Sequence, residues 1–221
     1  GSIDSAGSVN TDAAFSIITY TGTGTAGTIA HGLGKLPKMI ITKQRNSTAN
    51  WVVYFLDTSI AYNNVRNYLE LDTNIASTGD SGARWGAYGN YSTTTFGVGT
   101  NAATNASGST YVSYVFSEIK GYSKIGKYKG NGNDDGPFIN TGFAPAFVMV
   151  KCFDQGEHWN IYDNKRGASS ALSFNLNNAE RTMDDSPAME LLSNGFKIRT
   201  SDNNLSNDAD NFLYMAFAEQ P

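Results

Sequence analysis

Apolar and polar residues alternate along most of this chain in short runs, and clusters of Gly, Asn, Asp and Ser separate one run from the next. A period of two bounded by turn-forming residues marks half-buried β-strands, and no helical period persists beyond one or two turns. The first half places strands near 15–21, 38–44, 50–56, 66–72, 94–100 and 110–119. The second places them near 123–129, 146–153, 158–163, 171–176, 195–200 and 211–219. Strands this short and this evenly spaced predict an all-β protein, a jelly-roll-like β-sandwich. The alternation also predicts faces. In "NWVVYFL" Trp51, Val53 and Phe55 share one side, and in "HWNIYD" Trp159 and Ile161 do, so both tryptophans are expected core anchors.

The two sets of strands correspond because the chain is duplicated. Pro37, Lys43, Trp51 and Tyr54 recur as Pro145, Lys151, Trp159 and Tyr162, each 108 residues later and without a gap. "YTGTG" at 20–24 recurs as "YKGNG" at 128–132, "FGVGT" at 96–100 as "FKIRT" at 196–200, and "YVSYVFSE" at 111–118 as "FLYMAFAE" at 212–219. The pattern predicts two tandem homologous repeats, 15–121 and 122–221. Whether they form two sandwiches or share one pair of sheets is left open at this level. Gly1-Ser2 reads as an expression scar, and the small polar residues 3–14 read as a linker. Duplication also supplies an internal control: what both copies keep serves the fold, and what one copy alone carries is a candidate for function.

Composition agrees and excludes several functions. The 221 residues include 23 Gly, 12 Tyr and 12 Phe with only 16% charged residues, the makeup of turn-rich β structure. A net charge of −4 without a Lys/Arg cluster argues against a nucleic-acid partner. No apolar run is long enough to span a bilayer as a helix, so no membrane insertion is expected. The single cysteine, Cys152, lies in the apolar run "FVMVKCF" and reads as a buried, inert thiol.

The string "TGFAPAFVMVK…HWNIYDNKRG…NGFKIRT…YMAFAE", from Thr141 to Glu219, and its first-copy counterparts "HGLGKLPKMIITK", "NWVVYFLD" and "TFGVGTNAATNASGSTYVSYVFSEIKGY" resemble a repeat domain of tail-fibre and other virion proteins of tailed phages, marine ones especially. The resemblance covers nearly everything after residue 14. It implies a virion component made in the host cytoplasm and brings no catalytic residues with it. The expected function is a non-enzymatic distal tail-fibre adhesin that binds a host surface glycan or receptor and contacts other virion chains. The alternative is a purely structural spacer or decoration domain. The first copy departs from the pattern, having "LDTSIAYNN" where the second has "DNKRG" at Asp163–Gly167.

Candidate chemistry is sparse. His31 and His158 stand apart, with no spacing for a metal site or a triad. "GTGTAG" at 22–27 lacks the Lys-Ser/Thr of a phosphate loop and reads, like its copy "GNGNDDG", as a hairpin loop. Glu70 with Asp72, and Glu180 with Asp184 and Asp185, are carboxylate sets of the kind a glycan depolymerase would need, the less favoured reading. Two segments are specific to one copy. "GARWGAYGNY", opposite "SPAMELLSNG", offers Arg84, Trp85, Tyr88 and Tyr91 among glycines, residue types suited to sugar stacking, with a homotrimer adding avidity. "SDNNLSNDAD", opposite "NAATNASGST", offers Asp202, Asp208 and Asp210 as hard oxygen ligands for calcium; no other cofactor is implied.

Overall fold

The computed structural model describes residues 1–55, 67–86, 90–167, 170–182 and 188–220. They divide into two compact units, Gly1–Leu71 with Ser77–Glu118, and Ile119–Pro221 with Asp72–Ala76. Unit 1 contains β1 (Ser5–Asn10), β2 (Phe15–Thr21), β3 (Gly27–Ala30), β4 (Met39–Gln44), β5 (Val52–Phe55), β6 (Asn67–Glu70), β7 (Thr78–Gly79), β8 (Thr95–Val98), the helical turn α1 (Ala102–Asn105) and β9 (Thr110–Phe116). Its large sheet runs β1-β2-β9-β4-β5-β6-β7, and β3 pairs with β8 in a small one. Unit 2 contains β10 (Ser123–Lys129), β11 (Phe138–Asn140), β12 (Phe147–Cys152), β13 (Trp159–Asp163), β14 (Ser170–Ser173), β15 (Arg181–Thr182), β16 (Met189–Leu192), β17 (Gly195–Ile198), the helical turn α2 (Asn203–Ser206) and β18 (Asn211–Phe217). Here the sheets run β10-β18-β12-β13-β14-β15 and β11-β17-β16.

The strand order is thus repeated. In each unit the first strand of the repeat pairs antiparallel with the last (β2 with β9, β10 with β18) and the second with a strand near the end (β3 with β8, β11 with β17). This nesting is that of a jelly roll. The roll is incomplete, because β5 and β13 turn back onto β4 and β12 in the same sheet. Each unit has its own core between its own two sheets, so there are two sandwiches. Ile18, Tyr20, Ile29, Ile40, Tyr54, Phe96 and Tyr111 belong to one core, and Tyr128, Val148, Val150, Tyr162, Phe196 and Phe212 to the other. Full burial of side chains of this size stabilises by about 1.5–3 kcal/mol each.

Three expectations are corrected. Residues 3–14 are not a linker: β1 pairs with β2 from Ser5↔Tyr20 to Asn10↔Phe15, and buried Ile3 bridges to Ile29. An edge strand needs backbone pairing on one side only, so a polar sequence suffices. The predicted faces of β5 and β13 are reversed. Val52 and Tyr54, not Trp51 and Val53, enter the unit 1 core; Tyr162, not Trp159, enters that of unit 2. Trp159 is buried on the opposite side of its sheet, whereas Trp51 is half-buried and stacks on Tyr114 at 6.2 Å. Strands such as "VVYF" and "FVMV" are buried on both faces, so their alternation carries no inside–outside signal. Finally, the loops 22–27 and 130–136 are not hairpins, because each joins a strand of the large sheet to one of the small sheet.

The repeated Y-x-G-x-G motif has a structural cause. Tyr20 donates its hydroxyl to the carbonyl of Thr104 at 2.6 Å, and Tyr128 to that of Leu205 at 2.7 Å. Both acceptors lie in the helical turns, whose last carbonyls lack intrahelical donors. A Cβ on Gly22 would lie 2.3 Å from Ala106 O, and one on Gly130 2.2 Å from Asn207 O, so only glycine permits the approach. Gly24 and Gly132 then take positive φ and donate their amides to Asn105 O and Ser206 O.

Candidate functional site

The segment around Arg84 was the strongest candidate for ligand binding. Buried Asp80 organises it: one carboxylate oxygen accepts the amides of Arg84 (2.7 Å) and Trp85 (2.9 Å), and the other faces Arg84 Nη1 at 3.4 Å. Burial raises the Asp80 pKa, against those hydrogen bonds and the Arg84 charge. The Arg84 guanidinium lies over the Tyr68 ring, 3.6 Å from its centroid. Trp85 is 0% exposed and belongs to the unit 1 core, 5.6 Å from Tyr54. Tyr91 packs against the same core, and its hydroxyl donates to Trp85 O and Gly97 O. Tyr88 lies outside the described residues. Of the residues of the expected aromatic platform, Trp85 and Tyr91 point inward, and no face of Trp85 is open to a sugar.

Unit 2 shows why. Gly99 N donates to Arg84 O, and at the matching position Arg199 N donates to Ala188 O. The next residues are Trp85 and Met189, each 0% exposed and each in the core of its unit. Trp85 therefore fills the slot that Met189 fills in β16, and the aromatic segment stands in for a strand.

The acidic loop has a similar explanation. Asp202 caps α2 by accepting the amide of Asn204 at 2.7 Å, as Asn101 caps α1 by accepting that of Ala103 at 2.9 Å. Asp210 accepts from Asn207 Nδ2, and Asp208 is exposed. Among the described residues no group of three His, Cys, Asp or Glu side chains is placed to hold a metal, so the structure does not bring the three expected calcium ligands together. Of the carboxylate sets, Glu70 accepts from Asn50, Glu180 is ion-paired with Arg166, and Asp184 and Asp185 lie outside the described residues. The copy-specific "DNKRG" is closed on itself. Asp163 accepts the amides of Lys165 and Arg166, and the Arg166 guanidinium is shared among Asp163, Glu180 and Ile161 O.

His31 is fully buried. Its Nδ1 accepts the amide of Leu33 at 3.2 Å, and Nε2 lies 3.3 Å from Ser92 O. Burial lowers its pKa, against the Ser92 contact. In unit 2 the Thr141 hydroxyl faces the amide of Phe143 in the same way, so this histidine serves a turn. His158 is bound through its amide to Asn204 Oδ1 and through Nδ1 to Asn175.

Unit 1 has an open depression of about 340 Å³ where β1, β2 and β9 meet. Ser5, Thr19, Thr21 and Thr110 line it with hydroxyls, and Asp4 and Arg45 supply one charge of each sign. Among the described residues unit 2 has no counterpart of β1, and it carries buried Phe153 where unit 1 has exposed Arg45. Sequence reasoning passed over this site because β1 had been assigned to a linker.

The family described as Domain of unknown function (DUF7483) matches residues 1–221. The chain belongs to this family. No curated protein matches the sequence. One solved structure, titled "Crystal Structure of the STIV MCP", aligns over 98% of this chain and 96% of its own at 10% identity, with a TM-score of 0.25. A score that low carries no argument about fold or role. The DUF7483 chain is all-β on the strength of its own strands.

Proposed function

We propose that this DUF7483 protein is a non-enzymatic structural module of a phage virion, a spacer or decoration domain built from two jelly-roll-like sandwiches. The virion context rests on the sequence resemblance to phage virion repeats. The structural role rests on one observation: Trp85, the residue a glycan-binding loop most needed, occupies the core slot of Met189. The other copy-specific features support the same reading, since the acidic loop caps a helical turn and "DNKRG" closes an ion cluster.

A second reading, the adhesin, keeps one supporting feature. The unit 1 depression is lined by hydroxyls and flanked by Arg45, chemistry that suits a polar saccharide. A glycan array probed with the full chain, with calcium and then with chelator, separates the two. The structural reading expects no glycan retained above background, and antibody labelling of assembled particles away from the host-contacting tip. A retained glycan whose binding is lost in Arg45→Ala overturns it in favour of the adhesin.

A further inference from the structure

Lys151 is fully buried, although it is charged and sits one residue from the end of an apolar strand. Its Nζ lies 2.6 Å from Cys152 O, 2.7 Å from Glu157 O, 3.2 Å from Gln155 O and 3.5 Å from Asn74 O. Burial lowers its pKa to about 8, opposed by the neighbouring Cys152 thiol and Glu157 carboxylate. At neutral pH it is still the ammonium, three donors set among four carbonyls. A buried ammonium is tolerated only when it is fully hydrogen-bonded, so these carbonyls are held in place as firmly as the lysine is.

Two of the carbonyls, those of Gln155 and Glu157, belong to the β12–β13 connection and a third, that of Cys152, ends β12; the first copy does part of the same. Lys43 donates to Ala49 O, and Ala49 holds the loop position of Glu157. Pinning the hairpin loop is therefore the shared function of the repeated lysine. The fourth carbonyl is particular to the second copy. Asn74 belongs to Asp72–Ala76, a five-residue segment of unit 2 whose chain neighbours on both sides belong to unit 1. The Asn74 side chain also donates to Gly156 O at 2.9 Å, in the same loop.

We propose that Lys151 is the pin of a latch: its amine fixes the loop that Asn74 grips, and so holds the 72–76 strap closed on unit 2. Without the amine the loop carbonyls separate, the Asn74 contacts go with them, and the strap opens while the sheet beneath stays folded. Such local opening is the low-energy event that amide exchange detects.

The test is hydrogen exchange on the full chain, comparing wild type, Lys151→Met and Lys43→Met. The latch expects amides of 72–76 to exchange about tenfold faster in Lys151→Met, with β18 protection retained and 72–76 unchanged in Lys43→Met. Unchanged exchange at 72–76 in Lys151→Met overturns it, and so does an equal effect from Lys43→Met. Should Lys151→Met fail to fold, amine acylation of an Asn74→Gly/Ile75→Gly variant answers the same question from the strap side. Lys151 resists acylation in the wild type under conditions that label exposed Lys165, and it reacts about tenfold faster once the strap is loosened. A Lys151 that labels readily in the wild type, or stays shut in the variant, rules the latch out.

Discussion

Trp85 in unit 1 and Met189 in unit 2 occupy one slot, each fully buried beside a residue whose carbonyl accepts the amide of Gly99 or Arg199. One segment reads as an aromatic binding loop and the other as an ordinary strand, yet the fold uses them alike. A feature carried by one copy alone is therefore a candidate for function only if its aligned partner is doing something different. Core slots admit side chains of different volume when the surrounding backbone repacks, and here a methionine in a strand takes the place of an indole in a turn.

The sharpest way to break the comparison is to empty both slots. Trp85→Ala should destabilise by about 3–5 kcal/mol and Met189→Ala by about 2–5 kcal/mol, read as denaturation midpoints. Trp85→Met should lose less than Trp85→Ala, because unit 2 shows that a thioether fits and because the indole N–H has no hydrogen-bond partner among the described residues. An unchanged midpoint for Trp85→Ala would return that residue to the surface and to ligand binding.

A second pair tests the motif both copies keep. Tyr20→Phe and Tyr128→Phe each leave a buried helical-turn carbonyl, Thr104 O or Leu205 O, without its donor. Each should cost about 1–3 kcal/mol, and the two values should agree, since the rings are also stacked alike: Tyr20 on Tyr111 at 5.1 Å, Tyr128 on Phe212 at 5.0 Å. A loss from one and not the other would show that the copies hold their turns differently.

These pairs also mark what the sequence made legible. The strands of the large sheets other than β1, β7 and β15, the duplication and the Tyr-Gly landmarks were readable, because turn clusters and period-two runs survive in both copies. The small sheets were only half readable, since β3 and β11 span four and three residues and carry too little pattern. The burial of Trp85 was not legible, for a physical reason. Gly, Trp, Tyr and Arg together describe a sugar-binding loop equally well as a tight turn folded over a core, and only burial distinguishes them. The signal that could have found the answer was in the alignment, which already set Trp85 on Met189 and Lys43 on Lys151.

The helix caps provide a smaller test. Asn101→Ala and Asp202→Ala should each lose about 1 kcal/mol, with millimolar calcium leaving the melting temperature of the wild type unmoved. A calcium-dependent rise that disappears in Asp202→Ala would place a cation in the loop after all and would separate the two caps in kind.

The smallest effect is confined to mild acid and concerns the turn at His31. Its pKa in the folded chain lies below the ordinary histidine value because burial disfavours the imidazolium. Between that lowered value and about 6.5 the unfolded chain binds more protons than the folded one, so stability rises with pH across the window and is lost as pH falls through it. Above about 6.5 the group is neutral in both states and contributes no slope. Unit 2 performs the same turn with Thr141, whose hydroxyl faces the amide two residues on and does not titrate. His31→Thr should therefore lower stability modestly at neutral pH, through the space the ring vacates, and flatten the decline in midpoints measured as pH falls below about 6.5. If the variant keeps the wild-type slope, the acid sensitivity lies elsewhere, and the equivalence of His31 with Thr141 reaches only to geometry.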